Sequence, residues 1–263
     1  MQSAHSLLSA MLFASVLTIA GCASSPTGRQ QILLFSGGEM SQLGAQSFQE
    51  LKKQEKINED PKINRYVQCV ANAITARLAP DTGFSEWEVV VFDSKQVNAF
   101  ALPGGKIGIY SGLLDIAVNQ HQLATVIGHE IGHVIARHSN ERISRSQLAD
   151  AGLQLSNAVL GGSEYQSIAM AGLGLGVQYG ILMPYSRAQE SESDIIGLRL
   201  MAESGFDPKQ SIELWKNMDK AASGNQPPEL LSTHPSHETR IADLQAEIAK
   251  LPAVNVPRQN CKI

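Results

Sequence analysis

Ala124-Thr125-Val126-Ile127-Gly128-His129-Glu130-Ile131-Gly132-His133-Val134-Ile135-Ala136 is the stretch whose reading decides the fold. At 3.6 residues per turn, His129 and His133 stand at i and i+4 on one helical face, one turn apart. Two imidazoles so placed can close on a single Zn²⁺ at about 2.0–2.1 Å each. Glu130, beside the first histidine, can then accept a proton from water activated at that metal. The pattern H-E-x-x-H is the signature of zinc metalloproteases. The residues flanking the pentad carry no formal charge, and a helix that is apolar nearly all round is a buried one. The bland alternative is a pair of satisfied core histidines. It is disfavoured because burying a His-Glu-His set without a partner is costly.

A catalytic zinc usually takes three protein ligands and keeps a fourth position open. The extension H-E-x-x-H-x-x-G-x-x-H does not supply the third. Ala136 and Ser139 occupy its glycine and last histidine positions, and His138 falls one residue early, on a different face. The other solution is a glutamate from a later helix. Ser186-Arg187-Ala188-Gln189-Glu190-Ser191-Glu192-Ser193-Asp194 opens a strongly helical segment. Glu190 and Asp194, at i and i+4, share a face. Glu190 can ligate zinc, and Asp194 can accept the free ring N–H of a ligand histidine, fixing its tautomer. Glu192 points about 200° away from Glu190 and is expected in solvent. An acidic first turn complementing the helix dipole is the alternative reading of these carboxylates. With the pentad in the same chain, the ligand reading is preferred.

H-E-x-x-H followed by R-x-x-E-x-x-x-D resembles the zinc metallopeptidase family of the CAAX prenyl protease and bacterial HtpX. Two more segments carry the resemblance. Asn98-Ala99-Phe100-Ala101 with Gly105 and Tyr110-Ser111-Gly112-Leu113-Leu114 resembles the strand and turn before that family's zinc helix. Thr233-His234-Pro235 with Arg240 resembles its late T-H-P-x-x-x-x-R element. The likeness spans roughly residues 40–250 and is greatest with small periplasmic lipoprotein members, such as LoiP and the protease domain of BepA. Soluble relatives of the mitochondrial inner-membrane quality-control peptidase are similar too. Ser193 stands where the family often has alanine, a small-for-small change. The resemblance implies one zinc per chain, held by His129, His133 and Glu190, with Glu130 and His234 catalytic. It places His234 at the metal site, either as a donor to the oxyanion or in the fourth coordination position as a self-inhibiting switch. Arg240 would orient Glu190 or Asp194 by a charge-assisted hydrogen bond. His121 and His237 have no matching role and are expected at the surface.

Residues 1–21 contain no Asp, Glu, Lys or Arg, and Leu7 to Ala20 form an apolar stretch ending at Gly21-Cys22. It is shorter than the roughly 20 apolar residues of a membrane helix and reads as a signal peptide. Ile19-Ala20-Gly21-Cys22 resembles a bacterial lipobox, which implies a lipidated Cys22. The alternative is an ordinary secretory signal. Ala23 in place of Asp implies the outer membrane, by resemblance to lipoprotein sorting. Several acyl chains would hold such a protein stably, at about 0.8 kcal/mol per buried CH₂. The expected organisation is therefore 1–21 signal peptide, 22–36 lipid-attached linker and 37–263 metallopeptidase domain. Residues 23–30 are expected to be a flexible tether. The two remaining cysteines, Cys69 and Cys261, read as a disulfide in an oxidising periplasm, with two buried thiols as the alternative.

About 240 mature residues suffice for one core. The net charge of −4 offers no basic patch for nucleic acid. The expected fold is α+β, mainly α, of gluzincin type, with a small antiparallel sheet beside the zinc helix. Residues 38–55 read as a polar helix. Asp60-Pro61 suits the start of the next, whose stripe is Ile63, Val67, Val70, Ile74 and Leu78. Strands are expected at 87–92, 97–102 and 106–110, with Pro103-Gly104-Gly105 as a turn. Asn98, Ala99, Phe100 and Ala101 are candidates to receive substrate as an added strand, or else form a merely structural hairpin. Residues 150–183 read as a lid or plug over the cleft, or as a core helix pair. Gly205 reads as a helix end, Asp207-Pro208 as a new start, and Ser236 as the cap of a final helix reaching Lys250.

The expected activity is zinc-dependent endopeptidase action on misfolded or unassembled envelope polypeptides. An assembly chaperone with a latent zinc site and a peptidoglycan hydrolase are the alternatives.

Overall fold

The computed structural model describes residues 22–78, 86–160, 185–222, 230, 234 and 239–262. The elements in chain order are β1 (Cys22–Ser24), β2 (Gln30–Ile32), α1 (Gly37–Gln54), α2 (Pro61–Thr75), β3 (Glu88–Phe92), β4 (Ala99–Leu102) and β5 (Lys106–Tyr110). A 3-10 turn (Ser111–Asp115) leads to α3 (Gln120–Ile135), α4 (His138–Leu160), α5 (Arg187–Glu203), α6 (Gln210–Ala222) and α7 (Arg240–Lys250). Among the described residues the chain falls into two compact units. One holds residues 22–36 and 139–160, and the other holds 37–138 and the described residues from 185 onward.

In the smaller unit, β1 and β2 pair antiparallel, Cys22 opposite Ile32. The expected flexible tether over 23–30 is thus an ordered hairpin. Its cause is a buried anchor: Arg29 makes two 2.7 Å bonds to the Glu141 carboxylate. Phe35 and Asn140 exchange further hydrogen bonds. A composition rich in Ser, Pro and Gly could not foresee an ion pair made 112 residues away.

In the larger unit, α2 begins where Asp60 caps the Lys62 N–H and Pro61 opens the first turn. Its Val67, Val70, Ala71 and Ile74 join the core. The sheet is mixed, in order β3-β5-β4, rather than antiparallel as expected. The Pro103–Gly105 turn makes β4 and β5 a hairpin, but residues 93–98 carry the chain across so that β3 lies parallel on the other side of β5. β4 is left at the edge, packed against α3. Asn98 precedes the strand, though its carbonyl still accepts from the Tyr110 N–H.

Helix α3 lies along α5 at very short range. A β-carbon on Gly132 would come within 2.9 Å of the Ser193 carbonyl oxygen, and one on Gly128 within 3.0 Å of that of Gly197. These small residues let the backbones approach, so ligands on both helices can reach one point. Helix α5 starts with a capping box between Ser186 and Gln189. Gly205, at φ +83, ends the turn after it. Helix α7 begins at Arg240 with Thr239 as its N-cap, and Ser236 lies outside the described residues. Cys69 and Cys261 are joined, tying the C-terminal tail to α2. Among the described residues no helix is long and apolar enough to cross a membrane. Residues 161–184, most of the expected lid or helix pair, lie outside the described residues, as do 1–21 and their signal segment.

Candidate metal centre

Helix α3 is buried on all sides from Gln122 to Val134, so its polar groups at 129, 130 and 133 face protein. Helix α5 brings Glu190, fully buried, against them. His234, also buried, completes a group of four. The Nε2 atoms of His129 and His133 are 3.0 Å apart. His234 Nδ1 lies 3.3 Å from His129 Nε2 and 3.0 Å from Glu190 Oε1. His133 Nε2 is 3.3 Å from Glu190 Oε1. Corners of a tetrahedron whose centre is about 2.0–2.1 Å from each are themselves about 3.3–3.4 Å apart. Two neutral-capable imidazoles, a carboxylate and a third imidazole at such separations fit a divalent zinc by donor type and by spacing.

The carboxylates around this group have fixed partners. His129 Nδ1 is 2.9 Å from Asp194 Oδ1. The Arg240 fork spans Glu190 and Asp194 of α5, at 3.0 Å to Glu190 Oε2 and 2.8 Å to Asp194 Oδ1. Its guanidinium also lies over the Trp215 ring, 3.5 Å from the centroid. Tyr185 packs against two of the rings, its centroid 4.0 Å from that of His133 and 5.1 Å from that of His234.

Charge balance follows from this crowding. Burial pulls His129 down, but the Glu190 and Asp194 carboxylates outweigh it and raise the ring to about 10. Burial would raise Glu190, yet the rings of His129, His133 and His234 hold it far below the usual carboxylate range. His133 is held well below its ordinary value, chiefly by burial. Asp194 is lowered: Arg240 and His129 more than offset its burial.

Glu130 is different. Burial raises its carboxyl, with His234 and His129 opposing. Its Oε1 has no hydrogen-bond partner among the described residues, although His234 Nε2 is 3.5 Å away. An orphaned carboxylate oxygen beside a metal-binding group is poised to accept a proton from something not part of the protein. A cavity of about 10 Å³, enough for about one water, adjoins Glu130 and His234 and is bounded by Val126, Leu214, Trp215 and Met218.

Two residues of this site escaped the sequence reading. Glu192, expected in solvent, is 3 % exposed, and its Oε2 lies 3.1 Å from His138 Nε2. His138, set aside because it misses the metzincin spacing, is fully buried with its Nδ1 2.8 Å from His133 Nδ1. The helical wheel of α5 correctly turned Glu192 away from Glu190, but the first residue of α4 occupies that side. The one available signal was three acids, Glu190, Glu192 and Asp194, alternating within five residues of one helix. His121 is half-buried and accepts a hydrogen bond from the Asp207 N–H, remote from the metal ligands. His237 lies outside the described residues. Asn98 to Ala101 run at the sheet edge, and the Ala101 backbone hydrogen-bonds Glu130.

A family model described as Peptidase family M48 matches residues 58–248. The chain is 36% identical over 190 residues to the mitochondrial metalloendopeptidase OMA1 of Schizosaccharomyces pombe, covering 71% of this chain and 53% of that protein. It is 37% identical over 206 residues to the OMA1 of Arabidopsis thaliana, covering 77% and 40%. It is 31% identical over 215 residues to the beta-barrel assembly-enhancing protease of Escherichia coli K12, covering 78% and 43%. The chain thus spans about half the length, or less, of these curated relatives.

Proposed function

The chain belongs to peptidase family M48, and from that premise we propose that it is a zinc-dependent metalloendopeptidase of gluzincin type. His129, His133 and Glu190 would hold the metal, which supplies Lewis acidity and a nucleophilic water at neutral pH. Glu130 takes the proton from the attacking water and returns it to the departing amine. Its carboxyl, raised by burial and with Oε1 unpartnered among the described residues, is suited to both transfers. His234 has two uses that its placement supports. With Nδ1 among the donors, it would close the resting site as a fourth ligand. Displaced from the donors, its ring would instead serve to donate to an oxyanion. Asp194 and Arg240 keep His129 and Glu190 in register. Substrate would lie along the β4 edge at Asn98 to Ala101, in extended form, so that the scissile carbonyl arrives beside Glu130.

The wider setting is also proposed. A polypeptide substrate follows from the family. The relatives named for beta-barrel assembly support an envelope role, and the lipobox-like Ile19 to Cys22 supports an outer-membrane lipoprotein facing the periplasm. Misassembled envelope proteins are then the natural clients. The OMA1 relatives are mitochondrial by name.

The observation that carries the reading is the convergence of three rings and Glu190 with an orphaned Glu130 oxygen beside them. The test is casein cleavage by the purified chain with zinc quantified, beside Glu130→Gln. Zinc retained with cleavage lost by about 10²–10⁴-fold is expected. Zinc bound but no cleavage by the wild-type chain would favour the chaperone reading.

A further inference from the structure

We propose that His138 and Glu192 form a positioning relay for the ligand His133, separate from the Asp194 contact that positions His129. It rests on the reading of His129, His133 and Glu190 as metal ligands.

The geometry allows one directional chain of hydrogen bonds. To bind a cation through Nε2, His133 must carry its proton on Nδ1. That nitrogen faces His138 Nδ1 at 2.8 Å. Two nitrogens at this distance share a single proton, so His138 Nδ1 is the acceptor. The remaining proton of neutral His138 is then on Nε2, which faces Glu192 Oε2 at 3.1 Å. The carboxylate accepts from His138, His138 accepts from His133, and His133 is left with its Nε2 lone pair toward the metal group. The polarity is consistent from end to end with no charged imidazole. Ser193 Oγ, 3.4 Å from His138 Nδ1, can join at the same acceptor but cannot replace the ring.

The backbone is shaped to make this contact. Helix α3 ends at Ile135, and Arg137 takes φ +55, a left-handed conformation that a non-glycine residue adopts at a cost. That turn starts α4 at His138 and folds its ring back onto His133. All three groups are essentially buried, at 2 %, 0 % and 3 % exposed for His133, His138 and Glu192. Burial strengthens each bond and makes an unsatisfied ring nitrogen costly. His129 reaches its carboxylate directly, whereas His133 reaches one only through a second imidazole. The two metal-facing histidines are therefore held by independent devices, from opposite sides of α5.

The test is zinc affinity of the full chain by competition with a chromophoric chelator, with cobalt substitution read by its visible absorption. Glu192→Gln is isosteric and keeps an acceptor oxygen while removing the charge. His138→Gln shortens the relay and removes the ring. Partners of this kind are typically worth 10–100-fold in metal affinity. The expected losses are about tenfold for Glu192→Gln and up to a hundredfold for His138→Gln, each with a shifted cobalt spectrum. Glu192→Asp should recover part of the affinity. Melting of the metal-free variants reports folding separately. Wild-type affinity and a superposable cobalt spectrum in Glu192→Gln would overturn the relay. Zinc affinity equal to wild type in the His129→Ala chain would instead overturn the metal-centre reading on which it rests.

Discussion

Gly197 lies against the backbone of His129: a β-carbon there would sit 2.8 Å from the His129 nitrogen and 2.9 Å from the Gly128 carbonyl carbon. Both obstacles are main chain, so neither can swing away. Gly197→Ala must push α3 from α5 and carry His129 off the acids of α5. A loss of about 1–3 kcal/mol in unfolding free energy is expected, with zinc affinity falling further than at a remote site of equal destabilisation. Denaturant unfolding and chelator competition together check this. Unchanged values in both would remove the close-approach argument.

Arg240 should tolerate no conservative change. Its planar fork spans Glu190 and Asp194 while its face rests on Trp215. Lysine keeps the charge but cannot span both acids or stack in the same way. Arg240→Met leaves two buried carboxylates without their cation, a loss of about 3–5 kcal/mol. Arg240→Lys should fall between wild type and Arg240→Met in both thermal stability and zinc content. An Arg240→Lys protein equal to wild type would show that the fork is dispensable.

Zinc uptake should release a proton. Histidine binds zinc only when neutral, and the metal-free site raises His129 to about 10. Calorimetry at pH 7 in buffers of different protonation enthalpy should therefore find close to one proton released per zinc. Apparent affinity should climb as the pH rises toward about 10. The stability of the metal-free chain runs the other way. The His129 contribution is complete below its ordinary value of 6.5 and is lost as the pH passes through about 10. Proton release near zero would mean that His129 is already neutral.

His234→Ala distinguishes its two proposed uses. Faster casein cleavage than wild type, with zinc retained, marks a residue that closes the resting site. Slower turnover at unchanged zinc content and unchanged KM marks a donor to the transition state. Identical rates would exclude both.

Removing the Cys69–Cys261 link, which spans 192 residues, should cost about 2–5 kcal/mol. Metal affinity should not follow. The tail it holds docks near the start of α3, through Gln120 to Gln259 and Cys261, not at the ligand histidines. Cys261→Ser with normal zinc binding and a lowered melting temperature is the expected result.

The helices were legible where capping and periodicity agreed. Asp60-Pro61 marked the start of α2, and the stripe from Ile63 to Ile74 marked its buried side. The pairing direction of β3 was not legible, because alternation says which residues share a face but not which neighbour a strand takes. At the site, Glu190 and Asp194 could be placed on one face by counting alone. His138 could not, because its position depends on the left-handed turn at Arg137, a residue with no propensity for that conformation. Glu192 was misjudged for the same reason: a helical wheel gives the direction of a side chain but not what waits there. The Gly128, Gly132 and Gly197 approach is a property of two helices at once and has no signature within either.

Arg240 opens the last helix among the described residues, yet it neutralises acids set some fifty residues earlier. A chain still emerging from the ribosome, or crossing a membrane N-terminus first, already carries the His129 pentad and Glu190 while lacking their cation partner. Until residue 240 has been made, the cluster therefore lacks the guanidinium that balances Glu190 and Asp194, and the proposed zinc site does not take the form it has in the folded chain.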